Sequence, residues 1–300
     1  VPEKLFDDKT LRKLEQLSLI ASKIRAGAIK GERRSTRRGT SIEFADYRDY
    51  TKGDDLRRVD WNIFARLERP FIKLLEEEED LAVHLLVDAS ASMDWPRDSE
   101  SPRDQHKFTF ARRLLAGLAY ISLSGGDRLT VSALADRRAQ TWGPGRGRGR
   151  ALDLFAALET FTPGGVTDLN EALRDYALRG GRAGLCIVVS DFFSPSGYRD
   201  GVTALLGHGH EVTLIHVLAP DEVSPPLTGD LRLVDVESAA GQDVTIDAAL
   251  RDLYTRRLLA WQQEIGRDCR ARGVHYAAVE TSIPWEEVIL YQLRKLGVVR

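Results

Sequence analysis

Cysteine is nearly missing from this 300-residue chain, with only Cys186 and Cys269 present. Cys186 sits in an apolar strand-like run and Cys269 in a helical pattern, which argues against a disulfide framework or a thiolate metal cluster. A reducing compartment, the cytoplasm, is the expected location. No apolar run reaches the roughly 20 residues needed to cross a bilayer, and the charged opening VPEKLFDDKTLRKLEQ is unlike a secretory signal. Because the chain opens on Val1, a preceding piece is expected to have been removed. A dominant charge sign is also lacking. The 43 basic and 45 acidic residues leave a net charge of -2, which gives no global attraction to nucleic acid or membranes.

Several catalytic signatures are absent. The loop GPGRGRGR, residues 143 to 150, lacks the Lys and following Ser or Thr of a phosphate-binding loop, and neither GxSxG nor HExxH occurs. The six histidines form no convergent zinc set. His208 and His210 flank Gly209 before Glu211, a spacing that suits a turn, and His84 alternates with apolar neighbours and reads as structural.

What is present is enough apolar residue, 43%, to bury a substantial core, with 29% charged residues to solubilise it. One large domain with a smaller appended unit is expected. Leu11, Leu14, Leu17, Ile20 and Ile24 recur at three- and four-residue steps, predicting a helix over residues 10 to 30. The charged, aromatic-rich segment that follows completes an N-terminal region, 1–80, in which Phe71 to Glu76 reads as extended. From residue 81 to 300 strands and helices alternate: strands at Ala82–Val87, Leu129–Leu134, Leu185–Val189, Val212–Leu218 and Val274–Val279, and helices at Lys107–Leu123, Ala151–Phe161, Leu169–Leu178, Ala248–Ala271 and Pro284–Leu296. That alternation predicts an α/β fold with a doubly wound, mostly parallel sheet. The runs LRLVDV and DVTI predict a small antiparallel extension at the sheet edge, in an insertion near 219–246. The glycine-rich 143–150 segment reads as a turn or flexible loop.

Three pieces fall where open α/β sheets carry function, beyond the carboxyl ends of strands. In LLVDASASMDW, Asp88, Ser90 and Ser92 alternate just after a strand. In GGVTDLNEAL, Thr167 lies in a Gly-rich loop at a helix mouth. In LCIVVSDFF, Asp191 directly follows a β-branched strand. Asp168, three residues before Glu171, has the spacing of a capping box and is left outside the set. Two carboxylates and three hydroxyls suit a hard divalent cation, magnesium first, with manganese or calcium as alternatives. An open coordination position on such an ion could take an acidic side chain from a partner protein.

The arrangement DASAS, with Thr167 in GGVTDL and Asp191 in VVSDFF, resembles the metal-ion-dependent adhesion site of von Willebrand factor A domains. That resemblance implies a fold of von Willebrand factor A type and a ligand set of Asp88, Ser90, Ser92, Thr167 and Asp191. The preceding block RRGTSIEFADYRDYTKGDDLRRVDWNIFAR, followed by FIKLLEEEED, resembles the bacterial family called domain of unknown function 58. Together the resemblances cover roughly residues 30 to 200. Members of that family often lie beside MoxR-type AAA+ ATPases, so the resemblance implies such an ATPase as partner in client assembly or activation.

The block itself interleaves Arg48, Arg57, Arg58 and Arg66 with Asp54, Asp55 and Asp60 around Trp61, predicting an ionic network that either stabilises the fold or meets a partner. The expected function is therefore a non-enzymatic, cation-dependent adaptor or scaffold. Two alternatives stand beside it. One is a metal-dependent phosphoester hydrolase using an ion-activated water. The other is nucleic-acid binding through Arg33, Arg34, Arg37 and Arg38 with Arg146, Arg148 and Arg150, which the acidic run Glu76 to Asp80 opposes.

Overall fold

The computed structural model describes residues 6, 8–21, 42–51, 59–77, 81–97, 102–135, 139–179, 181–234 and 241–300. The expected features at Arg33, Arg34, Arg37, Arg38, Asp54, Asp55, Arg57 and Arg58 lie outside the described residues. The chain divides into two compact units, Ile29–Asp80 by itself and Val1–Ala28 together with Leu81–Arg300.

In the smaller unit, strand β1 (Ile42–Asp49) pairs antiparallel with β2 (Phe71–Glu77), and the register shifts between Phe44 and Asp46. Between them runs a helix, Trp61–Leu67. Asp60 starts it, accepting the backbone N–H groups of Asn62 at 2.9 Å and Ile63 at 3.2 Å, two donors that the first helical turn cannot otherwise satisfy.

The larger unit is built on six strands in the order β10-β7-β6-β3-β4-β5. They are β3 (Ala82–Asp88), β4 (Arg128–Leu134), β5 (Gln140–Arg146), β6 (Leu185–Ser190), β7 (Glu211–Leu218) and β10 (His275–Glu280). All pairings are parallel except that of β4 with β5. Side chains alternate across the sheet, and the core follows that alternation. Leu85, Val87, Ile187, Val189 and Ile215 face one layer, with residues of helices Lys107–Ser124 and Ala151–Thr160. Leu86, Cys186, Val188 and Leu214 face the other, with residues of helices Leu169–Leu178, Arg199–Gly207 and Ala248–Arg272. The expected α/β fold with a largely parallel sheet is observed, its two faces both covered by helices.

Four local expectations are corrected. Of the helix predicted over residues 10 to 30, the described residues are helical only at Asp8–Leu14, and residues 22–30 lie outside the described residues. Ser18 and Ile20 instead donate their N–H groups to Arg300 and Val298 carbonyls at 3.1 and 2.9 Å, and Leu19 is buried. Tertiary pairing with the C-terminal segment thus overrides the helical spacing. Second, residues 143–146 of the glycine-rich stretch belong to an edge strand, Gln140–Arg146. Trp142 anchors it by burial, and a Cβ on Gly145 would collide with that indole. Pro144 is tolerated because the strand is an edge. Third, helix Arg199–Gly207 had no predicted counterpart. Fourth, β8 (Gly229–Val234) and β9 (Gly241–Ile246) form their own two-stranded sheet and do not extend the larger one. The final segment is a short α-turn, Trp285–Glu287, continued as a π-helix, Val288–Leu293.

The close approach of β6 to β3 gives the first prediction. A Cβ on Gly184, just before β6, would run into the Ala82 carbonyl oxygen, a backbone atom that cannot rotate away. Gly184→Ala is expected to destabilise the larger unit by about 1–3 kcal/mol. Urea denaturation checks this, and an unchanged midpoint would refute the packing argument.

Candidate metal centre

The parallel pairing of β3 with β6, with Val87 opposite Val189, sends Asp88 and Asp191 out of the same end of the sheet. Asp88 closes β3. Its Oδ1 accepts the Ser90 N–H at 2.9 Å, and its Oδ2 accepts the Ser190 hydroxyl at 2.7 Å across the strand pair. Ser90 Oγ lies 3.0 Å from Ser92 Oγ. Asp191 Oδ1 accepts the Phe193 N–H at 3.1 Å, while Phe192 donates its N–H to Ser190 Oγ at 2.9 Å. This tight turn holds Phe192 at φ 57°, a left-handed conformation for a bulky residue. Such a conformation costs about 1–3 kcal/mol and persists only when surrounding contacts enforce it.

The loop carrying Thr167 is stitched to the Asp88 loop by two backbone bonds. Gly164 donates its N–H to the Ala89 carbonyl at 2.8 Å, and Ala91 donates to the Gly165 carbonyl at 2.9 Å. Gly165 has φ 75°, which a side chain would resist. Asp168 begins the next helix, as its spacing predicted, accepting the Glu171 N–H at 2.9 Å and the Ser196 hydroxyl at 2.7 Å. With the cap taken by Asp168, the Thr167 hydroxyl is buried and has no hydrogen-bond partner among the described residues. A buried hydroxyl in that state costs on the order of 1–3 kcal/mol.

The five residues singled out from the sequence thus stand on three adjoining loops at one end of the sheet. Asp88, Ser90, Thr167 and Asp191 are buried and Ser92 keeps partial exposure, so the cluster reaches solvent on the Ser92 side. Burial first, and then the Asp191 charge, push the Asp88 carboxyl up to about 6, against the opposing hydrogen bonds from Ser190 and Ser90. Among the described residues no group of three or more His, Cys, Asp or Glu side chains is placed to hold a metal. The oxygen set here is two carboxylates with hydroxyls, and the orphaned Thr167 hydroxyl together with two mutually repelling carboxylates fits a hard divalent cation.

Three further residues belong to the cluster that the sequence did not mark. Ser190 is one. The others are Lys107, fully buried at the start of its helix, and Glu222. The Lys107 ammonium lies 2.7 Å from Asp191 Oδ2 and 2.6 Å from Glu222 Oε1, with the Phe193 ring centroid at 5.3 Å. Burial raises the Glu222 carboxyl above its ordinary range and the Lys107 charge opposes that rise. Glu222 Oε2 also accepts the Ala219 N–H at 2.8 Å. A Lys at a predicted helix start carries no distinguishing signal in sequence. Ser190, one position before Asp191, could have been noticed as a partner across the strand pair.

The other sequence-singled residues lie elsewhere. In the smaller unit Asp60 is the helix cap described above, Trp61 is 61% exposed with its ring 5.9 Å from Phe64, and Arg66 is exposed. Arg48 falls within β1. Arg148 pairs with Glu15 at 2.7 Å and Arg150 with Asp153 at 2.9 Å. His84 is satisfied at both nitrogens, Nδ1 by the Tyr176 hydroxyl at 2.7 Å and Nε2 by the Arg182 carbonyl at 3.0 Å. Among the described residues no helix is long and apolar enough to cross a membrane.

The raised Asp88 carboxyl makes a pH prediction. A folded-state value of about 6 against the ordinary 3.8 means that ionised Asp88 costs stability. That cost is absent below the lower value, grows across the window between them, and stays constant above, reaching ~3 kcal/mol at neutral pH. In chelator, Asp88→Asn should therefore gain on the wild type by that amount as pH rises from about 4 to 7. Denaturation curves measured across this range check it, and parallel pH profiles would contradict it.

Comparison with known proteins gives a family match over residues 46–264, described as "Protein of unknown function DUF58". "Uncharacterized protein Rv1480" of Mycobacterium tuberculosis and "Uncharacterized protein Mb1516" of Mycobacterium bovis are each 30% identical over 283 residues, covering 93% of this chain and 87% of theirs. Among solved structures, the conserved hypothetical protein BatB of Bacteroides thetaiotaomicron aligns at 16% identity and a TM-score of 0.42, over 72% of this chain and 98% of that one.

Proposed function

We propose, for a chain that belongs to the DUF58 family of proteins of unknown function, that the three loops beyond β3, β6 and the Thr167 turn form a divalent-cation site of the von Willebrand factor A type, and that this site binds protein and does not catalyse. The observation that carries the proposal is the buried Thr167 hydroxyl, without a hydrogen-bond partner among the described residues, beside two carboxylates of which Asp88 is raised first by burial and then by the Asp191 charge. Asp88, Ser90, Ser92, Thr167 and Asp191 would hold the cation, magnesium in preference to manganese or calcium. Its chemistry there is to present a positive charge to an acidic side chain of a partner.

Charge and surface both favour recognition. Asp88, Asp191 and Glu222 against Lys107 are three carboxylates against one ammonium, which leaves a formal charge of -2 when all are ionised, the charge that one divalent ion balances. Each loop that contributes a site side chain also exposes an apolar one: Trp95 at 39%, Val166 at 50% and Phe193 at 42%. Apolar and aromatic side chains around a charged centre are the composition of protein-binding surfaces. The fitting ligand is an Asp or Glu flanked by apolar residues. A MoxR-type AAA+ ATPase as the partner, and client assembly or activation as the task, are carried by the family resemblance and not by this geometry.

Magnesium titration by calorimetry tests the site. Asp88→Ala and Asp191→Ala should each lower affinity at least about tenfold while cooperative unfolding persists. Ser90→Ala or Ser92→Ala should lower it less, because water can replace a neutral ligand. Unchanged affinity in both carboxylate variants would refute the assignment. For the partner, capture of a purified MoxR-type ATPase should need magnesium and fail in chelator or with Asp88→Ala. Equal capture in all conditions would remove the cation from the mechanism, and magnesium-dependent phosphoester turnover would favour the hydrolase alternative.

A further inference from the structure

Lys107 is an unfavourable residue for its position. A cation at a helix N-terminus opposes the macrodipole, and a fully buried ammonium is costly unless paired and hydrogen-bonded. Both of its acidic partners carry other bonds. Asp191 Oδ1 receives the Phe193 N–H and its Oδ2 the ammonium, while Glu222 Oε1 holds the ammonium and its Oε2 the Ala219 N–H. The short helix Pro220–Val223 that carries Glu222 is itself tethered. The Glu222 carbonyl accepts the Tyr254 hydroxyl at 2.6 Å, and Asp221 Oδ2 accepts the Trp95 indole N–H at 2.9 Å. Glu222 is thus a fixed acceptor, while the Thr167 hydroxyl has no hydrogen-bond partner among the described residues.

We propose that Lys107 is a built-in competitor for the cation site: its ammonium neutralises Asp191 when no divalent ion is bound, and in the loaded protein it is held by Glu222 alone. This inference rests on the cation site proposed above. It makes Lys107 the residue that sets cation affinity, because an ammonium and a divalent ion drawn to the same carboxylate oppose each other, and burial leaves little solvent to screen them. The same exchange links the site to the Pro220–Val223 helix and, through Tyr254, to the long helix Ala248–Arg272.

The test is magnesium titration and thermal unfolding of the full chain as wild type, Lys107→Met and Glu222→Gln. Lys107→Met keeps the stem and removes the charge. It should bind magnesium at least about tenfold tighter than wild type, melt lower in chelator, and recover more on magnesium addition than the wild type does. Glu222→Gln, which removes the waiting acceptor and is close to isosteric, should bind magnesium more weakly and supplies the test if Lys107→Met fails to fold. Equal or weaker magnesium binding by Lys107→Met overturns the proposal in favour of a Lys107 that orients Asp191. Unchanged binding by Glu222→Gln overturns the transfer to Glu222. If wild type binds magnesium and Asp88→Ala does not, either result removes the competitor alone. If neither wild type nor Lys107→Met binds magnesium at millimolar concentration, the cation site and the competitor both fall.

Discussion

Like charges brought to one end of a parallel sheet must be balanced, and that requirement organises the candidate site of this protein. The parallel β3 and β6 strands deliver Asp88 and Asp191 together, and burial denies both the solvation that would let them ignore each other. Every other feature of the cluster answers this. Ser190 and Ser90 donate to Asp88, the strained Phe192 turn aims a backbone N–H at Asp191, and Lys107 brings a positive charge from the facing helix. Glu222 then holds the ammonium from the other side.

Such a centre is better suited to responding than to stabilising. Breaking a buried ion pair by removing one partner costs several kcal/mol, yet the pair as a whole contributes little net stability. Its value lies in having discrete alternatives, since an ammonium shared by two carboxylates can be redistributed when another cation arrives. The apolar residues Trp95, Val166 and Phe193 stand on the loops that carry the charged groups, so a change in charge at the centre occurs beside the surface that a partner would touch.

Much of this was legible in the chain, for identifiable reasons. The apolar β-branched runs at Leu185–Ser190 and Glu211–Leu218 are buried on both faces, which gives strands an unambiguous signal, and helix Leu169–Leu178 was bounded by Asp168, whose side chain accepts the Glu171 N–H. The oxygen-bearing residues were readable because each directly follows a strand or opens a helix. Failures came where long-range pairing decides the outcome. Leu11 to Leu17 has helical spacing, but residues 18–20 bond the C-terminal residues 298–300. The Gly-Pro-Gly run at 143–145 has turn composition, but it pairs with β4, where Gly143 leaves room for the Leu129 carbonyl and Gly145 for the Trp142 indole. Lys107 was invisible because its role is defined by Glu222, 115 residues away. No local pattern encodes that meeting.

The most direct test of the account is a crystal structure grown with manganese, with anomalous scattering used to locate the ion. The account predicts one site between the Asp88 and Asp191 carboxylates, with the Thr167 hydroxyl turned toward it and the Lys107 ammonium withdrawn to Glu222. Manganese bound elsewhere, or a Lys107 ammonium still shared with Asp191 beside an empty cluster, would contradict it.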